Sequence, residues 1–149
     1  MDRPHNLVIS GTLDVPYTGG VRLSGIARYT SGAAFTIGDS SVDANRNGIL
    51  TDPLPAGSYS GSGPNAITVE NKGGINGARL PDTFQLDLRM GYRFRLGGSR
   101  TLEFYGDLLN ATNFVAFGGI SGDRRLAEFL RPTSAGAARA LQLGARFAF

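Results

Sequence analysis

Thirteen consecutive residues, 84–96, alternate without a break between apolar side chains and polar, charged or small ones. The apolar members are Phe84, Leu86, Leu88, Met90, Tyr92, Phe94 and Leu96. A period of two places alternate side chains on opposite faces of a β-strand, whereas a helix would not gather these residues on one face. The segment therefore predicts a long strand with one apolar and one polar face.

Four other segments show the same period, residues 101–109 less cleanly than the rest, and the chain has no apolar run long enough for a transmembrane helix. The second segment is extended to residue 37 because Phe35 and Ile37 continue its alternation. The predicted strands cover approximately residues 5–16, 21–37, 83–96, 100–112 and 140–149.

The connections between these strands alternate in length. Residues 16–20 and 97–99 are short and contain glycine, as tight hairpin turns do. Residues 38–82 and 113–139 are long, and connections of that length are usually functional. The expected fold is all-β, an antiparallel up-and-down meander of about five strands with the two long loops on one side.

The charged residues of these strands share the face opposite the apolar one. They are Arg22, Arg28, Asp87, Arg89, Arg93, Arg95, Glu103, Asp107 and Arg146. This partition, with short turns on one side and long loops on the other, is typical of a transmembrane β-barrel whose charges face the lumen. The alternation alone fits equally well a soluble antiparallel sheet that buries its apolar face.

Composition excludes several classes of function. The chain has no Cys and a single His, His5, so disulfides, Cys-ligated zinc and thiol catalysis are excluded and His-based sites are disfavoured. Acidic residues interrupt the arginines, which argues against a nucleic-acid partner. Asp87 and Glu103 are candidates for a carboxylate pair across the 97–98 turn, but the surrounding arginines favour an ion-paired wall. We expect no enzymatic activity.

Residues 43–54 begin with the pattern D-x-N-x-N-G of a calcium loop. Asp43, Asn45 and Asn47 would supply hard oxygen ligands, and Asp52 would replace the usual glutamate, because the twelfth position is Leu54. An Asx-rich surface turn explains the same residues, and we favour the turn. Calcium is the one cofactor that the sequence leaves open.

Five motifs, in chain order, resemble those of a known family. They are DRPHNL at 2–7, RYTSGAAFT at 28–36, DANRNG at 43–48 followed by TDP at 51–53, LEF at 102–104 with LNATN at 109–113, and LQLGARFAF at 141–149. Together they resemble the late strands of TonB-dependent outer-membrane receptors, especially the Oar-like group with a carboxypeptidase-regulatory-like domain. Ala34 stands where that group usually has proline.

The resemblance implies that the chain is the C-terminal segment of a 22-stranded barrel in the bacterial outer membrane, which takes up a substrate by energy coupling. Its partners would then be membrane lipid, the remaining barrel strands and the plug domain, with the TonB system reached only through N-terminal parts. Phe147 and Phe149 correspond to the terminal aromatic signal read by the outer-membrane assembly machinery. The first residues resemble neither a signal peptide nor a plug. The alternative function is a stand-alone soluble β-sheet binding module without catalytic activity.

Overall fold

The computed structural model describes residues 2–43 and 45–149, and within these ranges it contains strands but no helix. Accordingly, these ranges include no helix that is long and apolar enough to cross a membrane. In chain order the strands are β1 (Asn6–Asp14), β2 (Val21–Thr30), β3 (Ala34–Phe35), β4 (Gly38–Asp39), β5 (Asp52–Pro53), β6 (Gly57–Ser60), β7 (Thr68–Asn71), β8 (Ala78–Arg79), β9 (Thr83–Arg95), β10 (Thr101–Leu109), β11 (Phe117–Gly118), β12 (Ser134–Ala135) and β13 (Ala140–Ala148).

Five long strands form the main sheet in the order β1-β2-β9-β10-β13. Each strand of this sheet lies beside the long strand that precedes it in the chain, and the pairing is antiparallel. The prediction of an all-β, antiparallel meander of five long strands is therefore confirmed. The sheet is open rather than a closed barrel, with β1 and β13 as its edges.

Both short connections of this sheet are tight turns. Gly97 and Gly98 have φ values of 95° and 61°, a region in which other residues are strained. The Leu96 N–H donates to the Arg100 carbonyl at 3.0 Å and closes the β9–β10 turn. Because neighbouring strands run in opposite directions, the β1–β2 and β9–β10 turns lie at the same end of the sheet. We refer to this end as the short-turn end.

The second strand ends earlier than the sequence predicted. Its alternation continues through Phe35 and Ile37, but β2 stops at Thr30. The Ser31 N–H then donates to the His5 carbonyl at 2.9 Å, and the Leu80 N–H donates to the Ala33 carbonyl at 3.0 Å. Past Thr30 the backbone stays paired through these bonds of Ser31 and Ala33, but Phe35 belongs to the separate short strand β3, which pairs with β8.

The two long connections are not irregular loops. They contain β3–β8, β11 and β12, which form four two-stranded sheets: β3-β8, β4-β5, β6-β7 and β11-β12. Ile37, Val69, Ala78 and Leu130 form the buried apolar cluster of these segments. Leu130 comes from the second connection and the other three residues from the region of the first, so the two connections pack around one small core.

The chain accordingly divides into two compact units. The sheet unit consists of Asn6–Tyr29, Phe84–Phe114 and Ala137–Phe149. The loop unit consists of Thr30–Thr83, Val115–Gly136 and the residues up to His5. The fully buried large side chains of the described chain, Ile37 and Leu130, both lie in the loop unit.

Candidate functional site

The register of the sheet unit places its apolar side chains in rows across one face. β9 pairs with β10, and β10 with β13, and residues that lie directly opposite each other face the same way. The rows are Leu88–Leu108–Leu141, Met90–Gly106–Leu143, Tyr92–Phe104–Ala145 and Phe94–Leu102–Phe147. The face therefore carries no charged side chain on these three strands.

No layer of the described chain covers these rows. Met90 is 63% exposed, Phe104 51% and Leu143 80%. Isolated exposed apolar side chains are ordinary on a protein surface, but a continuous face of them marks an interaction site. A water-soluble sheet would bury this face against a second layer, and within the sheet unit that layer is missing.

Aromatic side chains cluster on this face towards the short-turn end. The ring centroids of Tyr92 and Phe94 are 4.5 Å apart, and those of Phe94 and Phe104 are 6.0 Å apart. Phe147 and Phe149, the predicted assembly signal, stack at 6.0 Å on the edge strand and beyond its end. Phe149 is 92% exposed, so it is accessible for recognition. Its role as a signal stays a prediction.

The opposite face carries ion pairs between neighbouring strands. Arg22 Nε donates to Asp14 Oδ1 at 2.6 Å, and Arg28 Nη1 donates to Asp87 Oδ2 at 2.6 Å. Two further pairs on the same face are Arg89 with Asp107, at 2.7 Å between Nη2 and Oδ2, and Arg93 with Glu103, at 3.3 Å between Nη2 and Oε2. These pairs include seven of the nine charged residues that the sequence assigned to this face. The other two, Arg95 and Arg146, are exposed and have no ion pair within residues 2–43 and 45–149.

The carboxylates of Asp87 and Glu103 are not neighbours. Glu103 lies directly opposite Arg93, whereas Asp87 comes six residues before Arg93 in β9. Asp87 accepts hydrogen bonds from Arg28, from Gln85 Nε2 and from the Asn110 backbone N–H at 2.9 Å. Both carboxylates therefore neutralise arginine and do not form the carboxylate pair that the sequence offered as a candidate.

Tyr105 occupies the middle of the polar face and lies across a glycine. A Cβ on Gly144 would fall 2.5 Å from Tyr105 Cζ, so the ring fills the space that any other residue would need there. The guanidinium of Arg89 lies 4.6 Å from the centroid of the same ring, within the range of a cation–π interaction. The sequence analysis missed this contact, although the glycine at position 144 of a regular strand is a recognisable sign of close packing.

Asn110 closes the end of β10 and was also missed. Its backbone has a φ of 49°, and its Nδ2 donates to the carbonyls of Phe114 and Ala137 at 2.9 and 3.0 Å. Its Oδ1 accepts from the Phe114 N–H. An Asn at the end of an apolar strand is the available signal, because Asn tolerates positive φ and bonds to nearby backbone.

The candidate calcium residues form an Asx-type turn in the loop unit. Asp43 accepts from the backbone N–H groups of Asn47 and Gly48 at 2.9 and 2.8 Å. Both carboxylate oxygens of Asp52 accept from Asn45 at 2.9 Å. In the described part of the chain no three His, Cys, Asp or Glu side chains lie together as a metal site would need. The turn geometry is present, and calcium stays a prediction.

Two aspartates of the loop unit accept hydrogen bonds from backbone N–H groups, and one of them, Asp123, joins the two long connections. Asp123 Oδ1 accepts from the N–H groups of Arg125 and Ser40, at 3.0 and 3.3 Å. These bonds hold the pKa of the Asp123 carboxyl below its usual value, and bonds from Ser41 do the same for the pKa of Asp39. Both carboxylates are therefore ionised anchors of the backbone at neutral pH.

Comparison with models of protein families, with characterised proteins and with solved structures finds no match to this chain. The functional argument therefore depends on the two faces of the sheet unit.

Proposed function

We propose that the chain is the C-terminal barrel segment of a TonB-dependent outer-membrane receptor, with no chemistry of its own. In this proposal the apolar face of the sheet unit contacts lipid and the polar face lines the barrel lumen. The observation that carries it is the uncovered apolar face, continuous over neighbouring strands, with the charged side chains on the opposite face.

The lengths of the strands support this proposal. A transmembrane strand needs about 9–11 residues when it is tilted in the bilayer. In the main sheet β1, β10 and β13 have 9 residues each, β2 has 10 and β9 has 13. The aromatic cluster at the short-turn end occupies the position of an interfacial girdle, where aromatic rings contact both headgroups and acyl chains.

The open edges set the partners of the proposed segment. In lipid an unpaired backbone group costs several kcal/mol, so a spanning sheet must close on further strands. The missing strands of the receptor would cover β1 and β13, and the plug domain would contact the polar face. The TonB system would act through N-terminal parts outside this chain, and the loop unit would contribute to capture of the substrate outside the cell.

A single tryptophan tests which face meets lipid, because the chain has none of its own. Leu141→Trp and Gln142→Trp are matched variants, since neighbouring residues of β13 point to opposite faces. In micelles of a detergent with brominated alkyl chains, where the open edges of the sheet can stay in contact with water, we expect strong quenching of tryptophan at position 141 and little at position 142. Equal quenching at both positions, or none at either, would contradict the proposal.

The alternative is a soluble β-sheet binding module, and it makes a different prediction about detergent. Such a module would hide its apolar face against a partner or a second copy and stay monodisperse in buffer alone. We expect instead that the chain needs detergent to remain dispersed, which size-exclusion chromatography with and without detergent measures.

A further inference from the structure

The charges of the polar face are balanced in one half of the sheet unit and unbalanced in the other. Towards the long connections, Arg28 pairs with Asp87 and Arg89 with Asp107. Towards the short-turn end, four arginines face only two carboxylates, Asp14 and Glu103. We define the arginine patch as Arg22, Arg93, Arg95 and Arg146.

We propose that the arginine patch is a docking surface for an acidic polypeptide segment, one with several Asp or Glu side chains. The inference depends on the proposed function only in placing this segment inside the barrel. The excess of positive charge and its position on the polar face are properties of the sheet unit itself.

Unused hydrogen-bond donors support an anionic partner. A guanidinium presents five N–H donors in a planar fork that fits a carboxylate with two parallel bonds. Arg22 and Arg93 already bind Asp14 and Glu103, but Arg95 and Arg146 have no carboxylate partner in the described chain. Covering these two arginines with a neutral surface would leave buried, unpaired charge, which is strongly unfavourable.

The shape of the surface fits a chain segment better than a small anion. Arg22, Arg93 and Arg95 line an open cavity of about 680 Å³ beside the β1–β2 turn. Arg146 lies on β13, on the far side of β10 from β9. The patch therefore spans the three strand spacings from β2 to β13, about 14 Å. A single phosphate or carboxylate reaches only part of this distance, whereas an extended acidic segment reaches all of it.

The opposite position of the apolar face argues against a lipid headgroup as the occupant. Alternate residues of each strand point to opposite faces, so a bilayer that contacts Phe94 and Phe147 does not contact Arg95 and Arg146. The carboxylates of Asp14 and Glu103 within the surface also repel a continuous phosphate backbone. Separate carboxylates on a polypeptide can lie against the arginines and avoid both acids.

The test measures binding of a fluorescein-labelled peptide of alternating Glu and Gly to the full chain in uncharged detergent micelles. Fluorescence anisotropy should show binding that weakens as NaCl is raised from about 50 to about 500 mM, because the Debye length falls below 10 Å. A peptide of alternating Gln and Gly, of the same length, should not bind.

Two double variants with the same change of charge locate the site. Arg95→Gln with Arg146→Gln should weaken binding about tenfold, the effect of removing two exposed charge pairs. Arg124→Gln with Arg139→Gln, which lies outside the patch, should change binding less than about twofold. Circular dichroism confirms that each variant keeps its strand content. The charge reversal of Arg95→Glu with Arg146→Glu should lose the acidic peptide and gain a peptide of alternating Lys and Gly.

Equal loss in both double variants would overturn the inference, since it would show attraction to overall charge only. Displacement of the peptide by inorganic phosphate at equal carboxylate and phosphate concentrations would also overturn it, in favour of a small-anion site. Failure of the proposed function is distinguishable: the tryptophan at position 141 would then escape quenching by the brominated detergent, whatever the peptide does.

Discussion

At the scale of single residues, the polar face depends on close contacts that a strand pattern does not reveal. Tyr105 lies over Gly144 and beside Arg89, and Arg89 in turn binds Asp107. A side chain at position 144 therefore disturbs a connected set of contacts across β9, β10 and β13, not a single pair.

We expect Gly144→Val to destabilise the folded chain by about 1–3 kcal/mol, because the new side chain overlaps the Tyr105 ring. Urea unfolding in micelles measures the change. The matched double variant, Gly144→Val with Tyr105→Ser, removes the overlap and should recover most of the loss. If the double variant is as unstable as Gly144→Val alone, strain at the glycine itself and not the ring is responsible.

At the scale of elements, β13 is both the last strand and an edge strand with two distinct faces. Leu141, Leu143 and Phe147 lie on the apolar face, and Gln142 and Arg146 on the other. The same substitution at two neighbouring positions of β13 therefore distinguishes the cost of a charge on the apolar face from the cost of a change in strand propensity.

Leu143→Arg should destabilise the chain in detergent micelles by up to about 2–4 kcal/mol, the cost of an arginine that faces hydrocarbon near the middle of a bilayer. Gln142→Arg, one residue away and on the polar face, should change the free energy of unfolding by less than about 0.5 kcal/mol. Denaturant titration of both variants provides the comparison. Equal effects of the two arginines would mean that neither face contacts lipid.

The sequence predicted the main sheet because each long strand carries its own periodic signal. Residues 84–96 specify both a strand and its two faces, and the pairing of Arg93 with Glu103 follows once the turn at Gly97 and Gly98 fixes the register. The predicted extension of β2 to residue 37 differs from the structure in one respect: β2 ends at Thr30, and Phe35 stands in the separate strand β3, which pairs with β8.

The core of the loop unit was not predictable in this way. Ile37, Val69, Ala78 and Leu130 come from distant parts of the chain, and the short strands among them have 2–4 residues, too few to show a period. Leu130 also has a φ of 51°, which no propensity of leucine would suggest. Such a core is specified by long-range packing alone.

At the scale of the whole molecule, the sheet unit has two unprotected edges. β9 is paired on both sides, whereas β1 and β13 are each paired on one side only. Soluble proteins usually protect an edge by charge, proline or a bulge. The regular strand β13, with apolar residues up to Phe147, has little such protection.

We expect the rates of amide hydrogen exchange of the chain in micelles to reflect whether a strand is paired on one side or on both. Amides in the middle of β9 should exchange slowly at every position, whereas β1 and β13 should show protection only at alternate positions, where the N–H faces a neighbouring strand. NMR measures these exchange rates, and the comparison of two protein concentrations is the control for association between copies. Uniform protection of β13 that grows with concentration would show that copies pair through this edge.

The number of strands in the main sheet is odd, and that parity restricts how the sheet can ever become a cylinder. With five antiparallel strands, β1 and β13 point in the same direction. If two identical copies were arranged with their short turns at a common rim, the β1 of one copy and the β13 of the other would run parallel where they meet. Turning one copy over would make these contacts antiparallel, but it would place the long connections of that copy at the rim of the other copy's short turns. An all-antiparallel cylinder with one rim of short turns therefore requires a complement that is itself odd in strand number, and hence a different sheet.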